Sequence, residues 1–200
     1  MKITFPAPHP KITHYVDDAS HETTYKTEDG YTAFHRQLDN DHYFTTVSWE
    51  SDGNLTNISK HSFILTPENA SHDFHATFSF YSQEPEGEPL SYEEVRQNST
   101  DYWQGFWESG AVIELNDSKD PRAFELERRI VLSQFLTAIQ CSGSLPPQET
   151  GLVYNSWFGK FHLEMHWWHA FHFILWGRSH LFKRSFDWYK KNTARSKENR

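Results

Sequence analysis

Residues 157–178 read WFGKFHLEMHWWHAFHFILWGR and hold four His, four Trp and one Glu within 22 positions. Apolar and aromatic side chains recur at helical spacing from about His162 to Arg178, which predicts a helix that extends towards Tyr189. Because apolar residues surround this helix on every side, we predict that it is buried all round. Its polar side chains occupy the first two turns, so we expect that end to open on a polar cavity.

The sequence changes character at QEPEGEPLS, residues 83–91, which is rich in Pro, Gly and Glu. Such a stretch is a candidate domain boundary. Before it stand HYFTTVSWE (residues 42–50), LTNISK, HSFILTP and HDFHATFSFYS, which are short, β-branched and aromatic. Strands of this length at this spacing are typical of an antiparallel β-sandwich.

After the boundary the periodicity becomes helical. The segment SYEEVRQNSTDYWQGFWESG predicts a short helix, and AVIELN predicts a brief strand. A second helix is predicted over Pro121–Gln140, with Asp120 as its N-cap and Gly143 capping its end.

Composition limits the possible partners. The chain has 200 residues, a net charge of −8 and a single cysteine, Cys141. An acidic chain is a poor binder of nucleic acid or anionic lipid, and no apolar run approaches the length of a membrane span. We therefore predict no nucleic-acid partner, no membrane partner and no cofactor. The N-terminus lacks the apolar core of a signal peptide, and the compartment and oligomeric state stay open.

The clustered His and Trp side chains allow three interpretations. His162 and His166 stand four residues apart, which suits two ligands of a zinc-dependent hydrolase. However, the sequence reads HLEMH where zinc proteases have HExxH, and Glu164 falls on the other side of the helix. A second interpretation is a set of core histidines satisfied by hydrogen bonds, but it leaves Glu164 as a costly buried carboxylate.

The third interpretation is a carbohydrate pocket. Indole rings stack on the apolar faces of sugars, and carboxylate, imidazole, amide and ammonium groups bind their hydroxyls. This stretch and the polar loop before it supply that set of side chains at high density. The predicted substrate-binding residues are Gln148, Asn155, Trp157, Lys160, His162, Glu164, His166, Trp167, Trp168 and His169.

The stretch from about Asp101 to Arg178 resembles glycoside-hydrolase-like proteins with six-hairpin, (α/α)6-barrel folds, which are akin to glycoside hydrolase family 65. The motifs that carry the resemblance are SLPPQETG (residues 144–151) and KFHLEMHWWH (residues 160–169). The resemblance implies a β-sandwich domain over 1–90, a linker helix and short strand over 91–119, and the first helices of an incomplete barrel over 120–200.

The same resemblance implies an enzyme that cleaves glycosidic bonds of an oligo- or polysaccharide by an inverting acid/base mechanism. Family 65 has a Phe-Trp-Asp-x-Glu signature at its innermost sugar subsite, and this chain has FHLE (residues 161–164) in the equivalent place. The family's α-glucoside substrates are therefore not carried over. Glu164 is the weak candidate for a catalytic carboxylate, and the general acid is expected beyond residue 200. A non-catalytic carbohydrate-binding protein is the alternative.

Overall fold

The computed structural model describes residues 1–7, 20–50, 53–68, 73–152 and 156–198. The chain divides into two compact units, Met1–Tyr102 and Trp103–Arg200. The first is built of strands and the second of helices, and helix α1 (Tyr92–Glu108) includes residues of both.

Within the described residues, seven strands form two antiparallel sheets. The three-stranded sheet has the order β1-β6-β5, and the four-stranded sheet has the order β2-β3-β4-β7. β7 lies at an edge of its sheet, pairs with β4, and leaves Phe80 68% exposed. The strands are β1 (Lys2–Thr4), β2 (His21–Glu28), β3 (Tyr31–Leu38), β4 (Asp41–Trp49), β5 (Gly53–Ser59), β6 (Ser62–Pro67) and β7 (Ala76–Tyr81).

Side chains from both sheets meet in one apolar core. Phe34 and Val47 of the four-stranded sheet pack with Phe63 and Leu65 of the three-stranded sheet. The Phe34 and Phe63 rings lie 4.9 Å apart at 71°, an edge-to-face geometry that favours aromatic pairs. The predicted antiparallel β-sandwich is confirmed, and so are the strands predicted around HYFTTVSWE, LTNISK and HSFILTP. Of the predicted stretch HDFHATFSFYS, only Ala76–Tyr81 forms a strand among the described residues.

Buried polar groups also lie in this unit. Arg36 is completely buried and donates to the carbonyl of Glu22 at 2.8 Å. The rings of His21 and His61 stack with their centroids 3.7 Å apart beside this guanidinium. Since the Arg36 charge is met by carbonyl, hydroxyl and imidazole acceptors, it is accommodated by dipoles.

In the described part of the chain four further α-helices follow α1, and both longer helix predictions need correction. α2 begins two residues later than predicted, because Asp120 Oδ1 accepts the backbone N–H of Arg122 at 2.9 Å in a turn before the helix. Gly143 does not cap it; the residue at its end is Ser142. The bounds are α2 (Ala123–Cys141), α3 (Leu163–Leu175), α4 (Ser179–Lys191) and α5 (Thr193–Glu198).

The helix predicted from His162 towards Tyr189 is in fact two helices. Gly177 has a φ of 77°, a conformation that glycine adopts without strain, and the turn that it forms separates α3 from α4. The strand predicted for AVIELN is also wrong, because these residues join no sheet. Instead, the N–H of Ala111 donates to the carbonyl of Trp176 at 2.9 Å.

One buried arginine ties the helical unit together. The Arg178 side chain is 1% exposed and donates to the Phe106 carbonyl at 2.9 Å and to Gln134 Oε1 at 2.8 Å. Its guanidinium lies 4.1 Å from the Phe106 ring centroid, close enough for a cation–π interaction. Around it, Phe106, Ala138, Ala170, Phe173 and Leu181 form the apolar core of this unit. No helix among the described residues has the length and apolar character needed to cross a membrane.

Candidate functional site

Helix α3 carries most of the predicted site, and it is not buried all round. Its buried residues are His166, Ala170 and Phe173, which form a single stripe. Trp168 is 67% exposed and Trp167 is 56% exposed. The prediction fails because apolar composition on every side does not supply packing partners on every side: only the stripe meets neighbouring helices. Large aromatic surfaces are therefore left in solvent, where they can contact a ligand.

His166 holds α3 against α4 and is not available to a ligand. Its Nδ1 lies 2.8 Å from the Tyr189 hydroxyl, and its Nε2 lies 2.9 Å from Ser185 Oγ. Burial lowers the pKa of His166, and the nearby His169 lowers it further. Ser185 is completely buried, so this serine–histidine–tyrosine trio is a structural tie between two helices.

The geometry gives the zinc interpretation little support. His162 is exposed, whereas both ring nitrogens of His166 are already hydrogen-bonded. Throughout the part of the chain that the structure describes, no three His, Cys, Asp or Glu side chains lie close enough together to share an ion. A zinc site needs three or four such ligands.

The loop before α3 is held by Gln148. Its side-chain oxygen accepts the backbone N–H of Ser156 at 3.1 Å, and its carbonyl accepts the N–H of Gly151 at 3.0 Å. Gln148 is therefore used within the loop. The predicted residue Asn155 lies outside the described residues.

The predicted residues just before and within the first turn of α3 lie on the surface. Trp157 is 62% exposed and meets the His162 ring edge-on, with 5.9 Å between the ring centroids. Lys160 and Glu164 are exposed as well. Glu164 makes no hydrogen bond or ion pair with any described residue, so its carboxylate is accessible to a ligand.

Trp167 and His169, two of the predicted residues, differ in what their rings contact. The Trp167 ring stacks on Phe171 of the same helix, with centroids 4.0 Å apart. His169 is half-buried, and its Nδ1 has no hydrogen-bond partner among the described residues. Burial lowers the pKa of His169, against the opposing effects of a hydrogen bond to the Glu149 backbone and of the Glu149 charge.

Trp168 lies in a cleft between α2 and α3. The cleft has a volume of about 370 Å³, which lies within the range of roughly 300–1,000 Å³ for small-molecule sites. Its lining joins two indole rings to hydroxyl, amide, imidazole and guanidinium groups. The lining residues are Arg129, Ile130, Ser133, Gln134, Thr137, Trp168, His172 and Trp176.

The polar groups of this cleft differ in how far they are already engaged. Arg129 pairs with Glu125 at 2.7 Å, and the Thr137 hydroxyl donates to the Ser133 carbonyl at 2.8 Å. His172 Nε2 is buried and has no hydrogen-bond partner within the described ranges. Burial lowers the pKa of His172, and the charge of Arg178 lowers it further, so the ring is neutral at pH 7.

Apart from Trp168, sequence reasoning missed this cleft. A signal was present in the spacing: Arg129, Ser133 and Thr137 follow one another at intervals of four on α2. Trp168, His172 and Trp176 do the same on α3. Residues four apart lie on the same side of a helix, so each set forms a continuous row.

Comparison of the chain with family models, with curated proteins and with solved structures found no match. The site is therefore interpreted from its own residues.

Proposed function

We propose that this protein binds a carbohydrate in the cleft between α2 and α3, and that it acts as a glycoside hydrolase. The observation that carries the binding proposal is Trp168, an exposed indole at the edge of a cleft whose other side chains offer hydrogen bonds. A sugar presents an apolar face to such a ring and hydroxyls to the polar groups around it. The hydrolytic activity rests on the resemblance of residues 101–178 to six-hairpin glycoside hydrolases.

Two further features support the proposal. α3 and α4 pack as a helical hairpin, the repeating element of an (α/α)6 barrel, and we propose that they belong to such a barrel. Glu164 stands one turn before Trp168 on the same side of α3 and is exposed. We propose that its carboxylate accepts hydrogen bonds from sugar hydroxyls. The role of base in an inverting mechanism requires a second carboxyl group roughly 6.5–9.5 Å away, which we do not assign.

The alternative, a carbohydrate-binding protein without catalysis, uses the same cleft. It differs from the enzyme only in lacking turnover. Glu125, one turn before Arg129 on α2, is no candidate for a general acid. Hydrogen bonds from Arg128 and Arg129 lower the pKa of Glu125 to about 2, so it stays ionised.

The binding proposal is tested by calorimetric titration with a panel of α- and β-linked oligosaccharides. If a sugar ring covers about 60 Å² of the Trp168 ring, the contact is worth about 1.5 kcal/mol, or roughly tenfold in affinity. Trp168→Ala should therefore lose about tenfold. Trp167→Ala is the control: Trp167 was also predicted to bind substrate and is 56% exposed, but it does not line the cleft, so the proposal expects this variant to keep the parental affinity.

Hydrolysis of the same oligosaccharides and of aryl glycosides is then measured beside Glu164→Gln. Turnover in the parent with a strong loss in the variant supports the enzyme. Because the resemblance implies a general acid beyond residue 200, only binding without turnover in a longer reading frame favours the non-catalytic alternative. Equal effects of the two Trp variants, or no binding of any sugar, would overturn the assignment of the cleft.

A further inference from the structure

A second pocket, unrelated to the helical cleft, lies in the strand-rich unit on the four-stranded sheet. Its volume is about 360 Å³, and it lies where the β2–β3 turn, β4 and β7 meet the segment Glu88–Tyr92. The turn places Asp29 beside Gly30, whose φ of 79° fits a tight hairpin. All of its lining belongs to the unit Met1–Tyr102.

The pocket carries a concentrated negative charge. Four carboxylates line it, from Glu28, Asp29, Glu50 and Glu88, and no Lys or Arg does. Glu50 has a partial counter-charge in His75, with 3.9 Å between the carboxylate and the ring nitrogen. Within the described residues, Asp29 and Glu88 have no ion pair. A concave surface of one sign concentrates ligands of the opposite charge.

The Glu28 carboxylate contributes to the negative charge of this pocket at neutral pH. Hydrogen bonds from Lys26 and from the Tyr31 hydroxyl lower the pKa of the Glu28 carboxyl, which is therefore ionised at neutral pH. Lys26, which pairs with it at 2.6 Å, does not line the pocket.

Aromatic rings form the rest of the wall. Tyr31, Trp49 and Tyr92 line the pocket, and the His75 ring lies against Tyr92 with 3.9 Å between centroids. Indole and phenol faces attract cations through the ring quadrupole. Rings combined with carboxylates therefore suit an organic cation, whose carbon atoms contact the rings while its N–H groups reach the carboxylates.

A polar side chain that is more than nine-tenths buried provides an independent indication of a ligand. Thr77 is 8% exposed, lines the pocket, and makes no side-chain hydrogen bond with any described residue. Its cross-strand neighbour Ser48 also lines the pocket, but the Ser48 hydroxyl is engaged with the Leu90 carbonyl at 3.3 Å. The Thr77 hydroxyl is accessible from the pocket and has no partner among the described residues, so it can accept a hydrogen bond from a ligand's N–H group.

We infer that this pocket binds an organic cation, an alkylammonium group such as that of a free amine or of a lysine side chain. An anion is excluded by the four carboxylates. A metal ion is not favoured, because no three acidic or histidine ligands in the described part of the chain converge closely enough to share an ion. The aromatic walls add attraction that a hydrated metal ion would not use.

The test is calorimetric titration of the full chain with n-butylammonium and with the acetyl-methylamide derivatives of lysine and norleucine. We expect both ammonium probes to bind, the norleucine derivative not to bind, and affinity to fall as salt is raised. If the lysine derivative binds more tightly, the natural ligand is a lysine side chain of a peptide. If butylammonium binds more tightly, the natural ligand is a free amine.

The double variant Asp29→Asn with Glu88→Gln should weaken ammonium binding at least tenfold. Glu86→Gln is the matched control, since Glu86 is exposed nearby but does not line the pocket. Circular dichroism verifies that each variant is folded. Equal binding of the lysine and norleucine derivatives, absence of ammonium binding, or an equal loss in the control would overturn the inference.

Discussion

Replacing Gly110 by Ala tests the close packing around Arg178. A Cβ atom at residue 110 would lie 2.5 Å from Arg178 Cζ and 2.6 Å from the Trp176 carbonyl oxygen. Neither neighbour can easily move, because Arg178 is held by Phe106 and Gln134, and the Trp176 carbonyl accepts the N–H of Ala111.

The expected cost follows from these contacts. Overpacking a well-packed site costs roughly 1–3 kcal/mol, and weakening the hydrogen bond at the Trp176 carbonyl adds about 1 kcal/mol. Gly110→Ala should therefore lower the free energy of unfolding by about 2–4 kcal/mol. For a unit of this size that loss corresponds to a fall in Tm of about 8 °C or more.

Gly105 provides a matched control with the opposite sign. It lies inside α1, and a Cβ there would meet nothing within 4 Å. Ala in a helix interior is about 0.5–1 kcal/mol more favourable than Gly, so Gly105→Ala should raise stability slightly. Urea unfolding followed by far-ultraviolet circular dichroism measures both. An unchanged midpoint for Gly110→Ala, or equal falls for the two variants, would refute the argument.

Two further predictions concern titration. Burial lowers the pKa of His166, His169 and His172, whereas in the unfolded chain they titrate near about 6.5. The unfolded state therefore binds more protons than the folded state below about pH 6.5, so the free energy of unfolding should fall as the pH is lowered from 7.5 to 5.5. His172→Gln should make this fall smaller. Thermal melting at a series of pH values checks both predictions, and a Tm that does not change with pH would contradict them. Burial also raises the pKa of Cys141 to about 11, so its reaction with a chromogenic disulfide at pH 8 should be on the order of 100-fold slower in the folded than in the urea-unfolded chain, and equal rates would contradict this.

The sequence was most informative where local pattern and packing agree. The β-branched and aromatic stretch HYFTTVSWE matches β4, which pairs with β3 and β7 and contributes Val47 to the core. Burial along β4 does not alternate, because Thr45, Thr46 and Val47 are all buried. The pattern failed at AVIELN, since β-forming residues need a partner strand. It also failed at Gly177, where apolar periodicity continues from α3 into α4 but the turn reverses the chain.

The candidate site was only partly predictable for a related reason. Trp168 was found because it lies in a dense aromatic stretch, whereas Ser133 and Thr137 of α2 look like ordinary surface residues in sequence. Ser133 and Thr137 become part of a candidate site only because α3 places Trp168, His172 and Trp176 in the same cleft. The burial of His166 likewise depends on Ser185 and Tyr189, which lie about twenty residues away in the chain.

The edge position of β7 has a consequence for handling this protein. A strand paired along one side presents backbone N–H and C=O groups that a second molecule can extend into a continuous sheet. Phe78 and Phe80 both project apolar surface from this strand, which favours such intermolecular stacking as concentration rises. The net charge of −8 opposes this association, because molecules of like charge repel one another.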